Sequence, residues 1–192
     1  MTKLITRRTI FRGAVAATLA SPLAGAFMSD IAAAATPDLA NTIYLTLPFG
    51  KVTITLRPDL APKTCAQIKT LTSRGFYNGC EFFRVIAGFM AQTGDPTNTG
   101  TGGSDLPNVP AEFTTKASFL TGSLGMARTN DPNSGNSQFF ICFDPATFLD
   151  DKYTLFGQVT EGMEYVQQIK KGHGQSGRVT DPTKIISMTL AA

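Results

Sequence analysis

Between Asn41 and Leu56 the apolar residues fall at every second position. Ile43, Leu45 and Leu47 precede a Pro48-Phe49-Gly50 turn, and Val52, Ile54 and Leu56 follow it. Only a β-strand repeats with a period of two, so this stretch reads as a hairpin with one buried face. Apolar, aromatic-rich runs of strand length follow at 82–86, 89–93, 118–126, 138–143 and 153–159, each bounded by Gly, Pro, Asn or Asp, and a last run covers 185–190. The chain is therefore mainly β. Two stretches change period. Pro62 suits the first position of a helix carrying Cys65, Ile68 and Leu71 and ending near Gly75. Met163, Val166 and Ile169 mark a second helix, closed by Lys170, Lys171 and Gly172, where a helix end favours cations and glycine. With 192 residues, 42% of them hydrophobic, the chain can bury one sizeable core and reads as a single domain.

The first 35 residues stand apart. A basic start, an apolar stretch from Gly13 to Phe27 and small residues Ala32 to Ala35 read as a cleavable export signal. Thr6-Arg7-Arg8-Thr9-Ile10-Phe11-Arg12 is similar to the twin-arginine pattern, which places the mature protein in the periplasm. Gly13, Pro22 and Gly25 interrupt the apolar stretch, which is also shorter than the ~20 residues of a spanning helix. No stable membrane association is expected after cleavage. The formal charge of +3 also resides here, because Lys3, Arg7, Arg8 and Arg12 outweigh Asp30 and leave 13 basic against 13 acidic residues in the remainder. A neutral domain without a basic cluster offers no footprint for nucleic acid. Cys65, Cys80 and Cys142 are too few for a disulfide scaffold and lack the spacing of a zinc site. In an oxidising compartment one pair can join and leave the third free, and the sequence leaves the pairing open. Cys142, inside an apolar run, reads as a small core residue.

A loop rich in glycine and proline spans Gly94 to Pro110, too poor in apolar residues to be a core element and of a length that is usually functional. Its Gly100-Thr101-Gly102-Gly103 lacks the Lys-Ser/Thr ending and the following helix of a phosphate cradle. On either side lie two segments that set polar residues among aromatics, where a plain core strand would not. The first runs from Phe82-Phe83-Arg84 through Phe89-Met90-Ala91-Gln92 to Asp95. The second comprises Gly125-Met126-Ala127-Arg128-Thr129 and Asn136-Ser137-Gln138-Phe139-Phe140-Ile141.

Both segments resemble the signatures of the cyclophilins, in the same order and at the expected separation. The likeness extends over nearly all of residues 42 to 190, within a domain of residues 36 to 192, and includes Gly100-Thr101-Gly102-Gly103 and Phe148-Leu149-Asp150. The resemblance implies a closed eight-stranded antiparallel β-barrel capped by two α-helices, needing no cofactor or metal and acting as a monomer. The implied activity is peptidyl-prolyl cis-trans isomerisation on proline-containing segments of folding polypeptides. Carried over residue by residue, it makes Arg84 the donor to the twisted amide and Gln92 the residue that orients it. Phe89, Met90, Phe140 and Leu149 become the proline pocket. Ala127, Arg128 and Thr129 line the substrate strand, with the Arg128 backbone bonding the residue before proline, and Gln138 sits beside the groove. Phe148 stands where animal members carry a tryptophan, Tyr153 where they carry a histidine and Arg128 where they carry an asparagine. Phenylalanine has no N–H donor, so cyclosporin, which occupies this groove in many members, is expected to bind weakly.

Taken singly these residues say less. An arginine flanked by aromatics on a strand is most often a surface residue stacked on a neighbour. Phe89, Met90 and Phe140 would most often be core. His173, the only histidine, lies between Gly172 and Gly174 in a loop and has no second histidine as partner, which argues against a His-based hydrolase. A binding module that uses the same groove without turnover would not need both Arg84 and Gln92. The export reading carries its own test: with both Arg7 and Arg8 replaced by lysine, full-length precursor accumulates in the cytoplasm on fractionation, whereas unchanged export would assign the general secretory route.

Overall fold

The computed structural model describes residues 38–174 and 176–191, so the export signal read at 1–35 lies outside the described residues. The chain opens with the expected hairpin, β1 (Thr42–Leu47) and β2 (Gly50–Leu56), closed by a tight turn at Pro48-Phe49. Ile43 pairs with Ile54 and Leu45 with Val52, and all four are fully buried, as the period of two requires.

Helix α1 (Pro62–Ser73) follows, with Pro62 in its first turn and Cys65, Ile68 and Leu71 on its buried face. Its N-cap, Ala61, has no side chain able to cap. Instead the carboxylate of Glu112, 48 and 49 residues further along, accepts the Thr64 and Lys63 amides at 2.9 Å each. Orphan N–H groups and the positive end of the helix are satisfied by one anion. Gly75 follows the last turn in the left-handed region, φ 67°.

Six more strands complete the sheet: β3 (Arg84–Ile86), β4 (Met90–Thr93), β5 (Ser123–Met126), β6 (Phe139–Cys142), β7 (Leu155–Glu161) and β8 (Ser187–Leu190). Their order is β3-β4-β6-β5-β7-β2-β1-β8, with every pairing antiparallel. The sheet curls into a half-barrel around the main core, where Phe82, Phe139, Phe156 and Tyr77 are fully buried with the aliphatic side chains of β1 and β2. Helix α1 packs on β7 and β8.

Three features differ from expectation. The first is closure: no ladder joins β3 to β8, so a fully closed barrel is not what the strands form. Residues 177–185 fill the seam through single bonds, Val85 N to Gly177 O at 2.7 Å, Phe82 N to Thr183 O at 2.9 Å and Gly79 N to Ile185 O at 2.8 Å. Pro182 has no N–H to give, and Asp181 sits at φ 55°, so this segment cannot continue a ladder. The second is the run 118–126, of which only 123–126 is strand, because the chain turns at Thr121-Gly122 with Gly122 at φ 80°. The third is the second helix, which is one turn, α2 (Met163–Val166), packed against β2. Tight i to i+3 bonds carry the chain on to Ile169, whose side chain, like that of Val166, is fully buried.

All three cysteines are buried free thiols. Burial pushes Cys65 and Cys80 up to about 11 and Cys142 to about 12, so at neutral pH they are protonated and poor nucleophiles. Among the described residues no helix is long and apolar enough to cross a membrane.

Candidate functional site

Along β4 and β6 the two faces of the sheet carry different cargo. Ala91, Phe139 and Ile141 point into the main core. Met90, Phe140 and Cys142 point the other way and form a second apolar cluster with Phe119, Leu149 and Leu155. Alternation by one residue therefore places Phe139 inside the half-barrel and Phe140 on its outer face. Gly125, on the neighbouring strand β5, makes room for that ring: a Cβ there would stand 2.2 Å from Phe140 Cζ.

On this outer cluster opens a cavity of about 280 Å³ lined by Arg84, Phe89, Met90, Gln92, Ala127, Arg128, Phe140, Phe148, Leu149 and Tyr153. These are ten of the twelve residues expected from the sequence. The other two, Thr129 and Gln138, line an adjoining cavity of about 420 Å³ that shares Gln92, Ala127 and Arg128 with the first. Floor and wall of the smaller cavity are closely packed. Met90, Phe140 and Leu149 are buried, Tyr153 meets Phe140 edge-on at 5.9 Å, and Phe119 stacks behind Phe140 at 5.9 Å. Phe148 forms the rim, 60% exposed, with its ring 5.3 Å from that of Phe89.

Arg84 and Gln92 face each other across the β3–β4 pair. Arg84 Nη1 donates to Gln92 Oε1 at 3.1 Å and Nε donates to Ser176 O at 3.2 Å. Gln92 Nε2 donates to Gln138 Oε1 at 2.9 Å, and Gln138 Nε2 donates to the carbonyls of Gly100 and Gly102 at 3.1 and 2.8 Å. The orientation of both amides is forced. Peptide carbonyls only accept, so Gln138 must turn its NH₂ toward the loop and its oxygen toward Gln92, which in turn offers its own oxygen to the arginine. Among the described residues Arg84 has no carboxylate partner, and both Nη2 hydrogens are unengaged.

The glycine-rich loop at the end of this relay is held from within. Asp95, fully buried, accepts from the Thr97 amide and hydroxyl at 2.8 and 2.7 Å and from the Gly100 and Gly102 amides at 2.6 and 3.0 Å. Burial alone would raise this carboxyl; the bonds from Thr97, Gly102 and Gly100 outweigh it and hold it down at about 2. Asn136 clamps the far side, its Oδ1 accepting the Ser104 amide and hydroxyl at 2.7 Å each. Neither role was legible from the chain, nor was the lining of the larger cavity by Gly100 to Gly103, Asn108, Ser134 and Asn136. The one signal available was a short acidic side chain opening a loop otherwise made of Gly, Thr and Pro.

Arg128 lies over Tyr153, its Cζ 4.4 Å from the ring centre, and its Nε and Nη2 donate to Lys152 O at 3.3 and 3.0 Å. Its backbone N–H and C=O make no hydrogen bond among the described residues. Residues 42–190 match the protein-family model for cyclophilin-type peptidyl-prolyl cis-trans isomerases. The chain belongs to this family. A probable peptidyl-prolyl cis-trans isomerase of Brucella suis is 51% identical over 173 residues, covering 84% of this chain and 87% of its own length. The solved cyclophilin AquaCyp293 of Hirschia baltica is similar with a TM-score of 0.70 at 30% identity, over 80% of this chain and 74% of its own. A Cryptosporidium parvum cyclophilin-type isomerase, solved in the presence of the dipeptide Ala-Pro, gives 0.71 at 27% identity, over 78% of this chain and 98% of its own.

In this cyclophilin the loop anchor has a pH signature. A carboxyl held at about 2 against an ordinary 3.8 adds stability above pH 4 that disappears as pH falls toward 2. Asp95→Asn turns an NH₂ group toward amide donors and is expected to cost about 2 kcal/mol at neutral pH. Denaturant unfolding of both proteins from pH 7 to pH 2 checks this: the gap closes on acidification, and a gap independent of pH would refute the assignment.

Proposed function

We propose that this cyclophilin accelerates rotation about X-Pro bonds in folding polypeptides, with Arg84 acting on the twisted amide. The observation that carries the reading is a guanidinium beside the apolar floor of the cavity, Met90, Phe140 and Leu149, oriented by Gln92 and Ser176 O and still holding free donors. Rotation about a peptide bond meets a barrier of ~18–20 kcal/mol because the nitrogen lone pair is delocalised into the carbonyl. At the top of that barrier the lone pair is localised on a pyramidal nitrogen, which can then accept a hydrogen bond. A donor fixed at that place stabilises the transition state and not the planar ground states, which is the condition for acceleration. No covalent bond changes, so no nucleophile is needed.

In this reading Phe89, Met90, Phe140 and Leu149 grip the proline ring. Holding the ring while the preceding residue turns confines rotation to one bond. The unpaired backbone N–H and C=O of Arg128 suit the preceding residue as an added strand, with Ala127 and Thr129 on either side. Gln92 and Gln138 act as positioning residues, because they keep Arg84 from swinging into solvent. That the Cryptosporidium relative was solved in the presence of the dipeptide Ala-Pro supports proline-containing substrates. We further propose a monomer that works in the periplasm after removal of residues 1–35, on the strength of Arg7-Arg8 and the small residues Ala32 to Ala35.

Exchange NMR on an Ala-Pro peptide tests the reading. Arg84→Ala and Arg84→Lys are expected to lose about 100-fold to 1,000-fold in rate, as removal of one donor to a transition state typically does, while circular dichroism and thermal unfolding stay near the parent. Full activity in the alanine variant would overturn the role given to Arg84. Phe148 supplies a second test, since an exposed ring without an N–H offers a polar inhibitor nothing to bond. Phe148→Trp is expected to tighten cyclosporin by roughly one to two decades and to change turnover far less. Unchanged inhibition would move the discrimination to Tyr153 or Arg128.

A further inference from the structure

We propose that the Arg128 side chain selects substrates carrying an acidic residue immediately before the proline. The inference rests on the isomerase reading and adds to it a substrate class.

Arg128 lies where the two cavities meet and lines both. Its guanidinium is held in place entirely by neutral groups: the Tyr153 ring, the Lys152 carbonyl and the Thr129 carbonyl, to which Nη1 donates at 2.9 Å. Of five N–H donors, three are engaged and two are left. The ion pairs among the described residues join Arg57 to Asp59, Arg74 to Asp105, Lys170 to Asp181 and Lys184 to Glu81, and none involves Arg128. The nearest acidic residue along the chain beyond it, Asp131, turns its Oδ1 to the Asn133 amide. Lys152 adds a second positive charge beside the cavity, its Nζ donating to Phe148 O at 3.2 Å. Arg128 and Lys152 thus set two positive charges at the groove edge of a domain whose formal charges balance overall.

Position follows from strand geometry. A residue whose backbone pairs with that of Arg128 as an added antiparallel strand carries its side chain on the same face, with Cβ atoms ~4.5–5.5 Å apart. The residue before proline is the one given that pairing. Because carbonyls and a ring already fix the guanidinium, little further side-chain freedom is lost when a carboxylate meets it. The rim stays wet, so the preference is expected to be a few-fold and to weaken with salt.

The test uses three peptides identical except for Glu, Gln or Lys before proline, with kcat/KM measured by exchange NMR. For the unmodified protein at low salt, Glu is expected to exceed Gln by about 3-fold to 5-fold and Lys to fall below Gln, the ratios approaching one near ~1 M salt. Arg128→Gln brings the Glu/Gln ratio to about one, and Arg128→Glu reverses the order in favour of Lys. Each ratio is taken within one variant, so a general loss of activity does not enter it. A Glu/Gln ratio of one in the unmodified protein, or a ratio that survives Arg128→Gln, overturns the proposal and leaves the isomerase reading intact. Failure of the unmodified protein to turn over any of the three peptides would overturn that reading itself.

Discussion

Strands β4 and β6 are buried on both faces, and nearly everything distinctive about the site follows from that. A strand in a half-barrel ordinarily turns one face to the core and the other to water. Here the outer face of this pair meets a second apolar cluster, formed by Phe119 and Leu149 from segments outside the strands and by Leu155 of β7. Phe139 and Phe140 are neighbours in sequence and both largely buried, yet they serve different clusters. The inner one holds the sheet together. The outer one is packed from behind by Phe119 and forms an apolar wall of the cavity.

Polar chemistry enters at the edge of this wall and is disciplined by acceptor counting. A guanidinium can point in many directions, and its long stem costs entropy to fix. Each amide in the chain from Arg84 through Gln92 and Gln138 has its orientation settled by the next partner, and the last partners are backbone carbonyls that can only accept. Those carbonyls are held in turn because Asp95 gathers the amides of the same loop. A buried carboxylate with four or more donors converts a flexible glycine-rich loop into a fixed surface. The glycines are required here for closeness: a Cβ on Gly102 would stand 2.1 Å from Asp95 Oδ1.

What the amino-acid order determined by itself was periodic or local. The hairpin at 42–56 follows from alternation, helix α1 from Pro62 and the spacing of Cys65, Ile68 and Leu71, and the family membership from two signature segments that the fold then brings to one groove. Local rules failed where the outcome depends on distant partners. The end of β5 at Ser123, the single turn of α2, and the seam left open between β3 and β8 were each settled by packing or by a missing donor at Pro182. Only the tertiary structure decided that Glu112 caps α1, that Asp95 anchors the loop, and that Arg128 rests on Tyr153 with its charge unanswered by any carboxylate among the described residues. The physical reason is common to all of these. Hydrogen bonds and charge pairs act over a few ångströms in space, and the residues they join lie 2 to 49 positions apart or turn on side-chain directions that no spacing encodes.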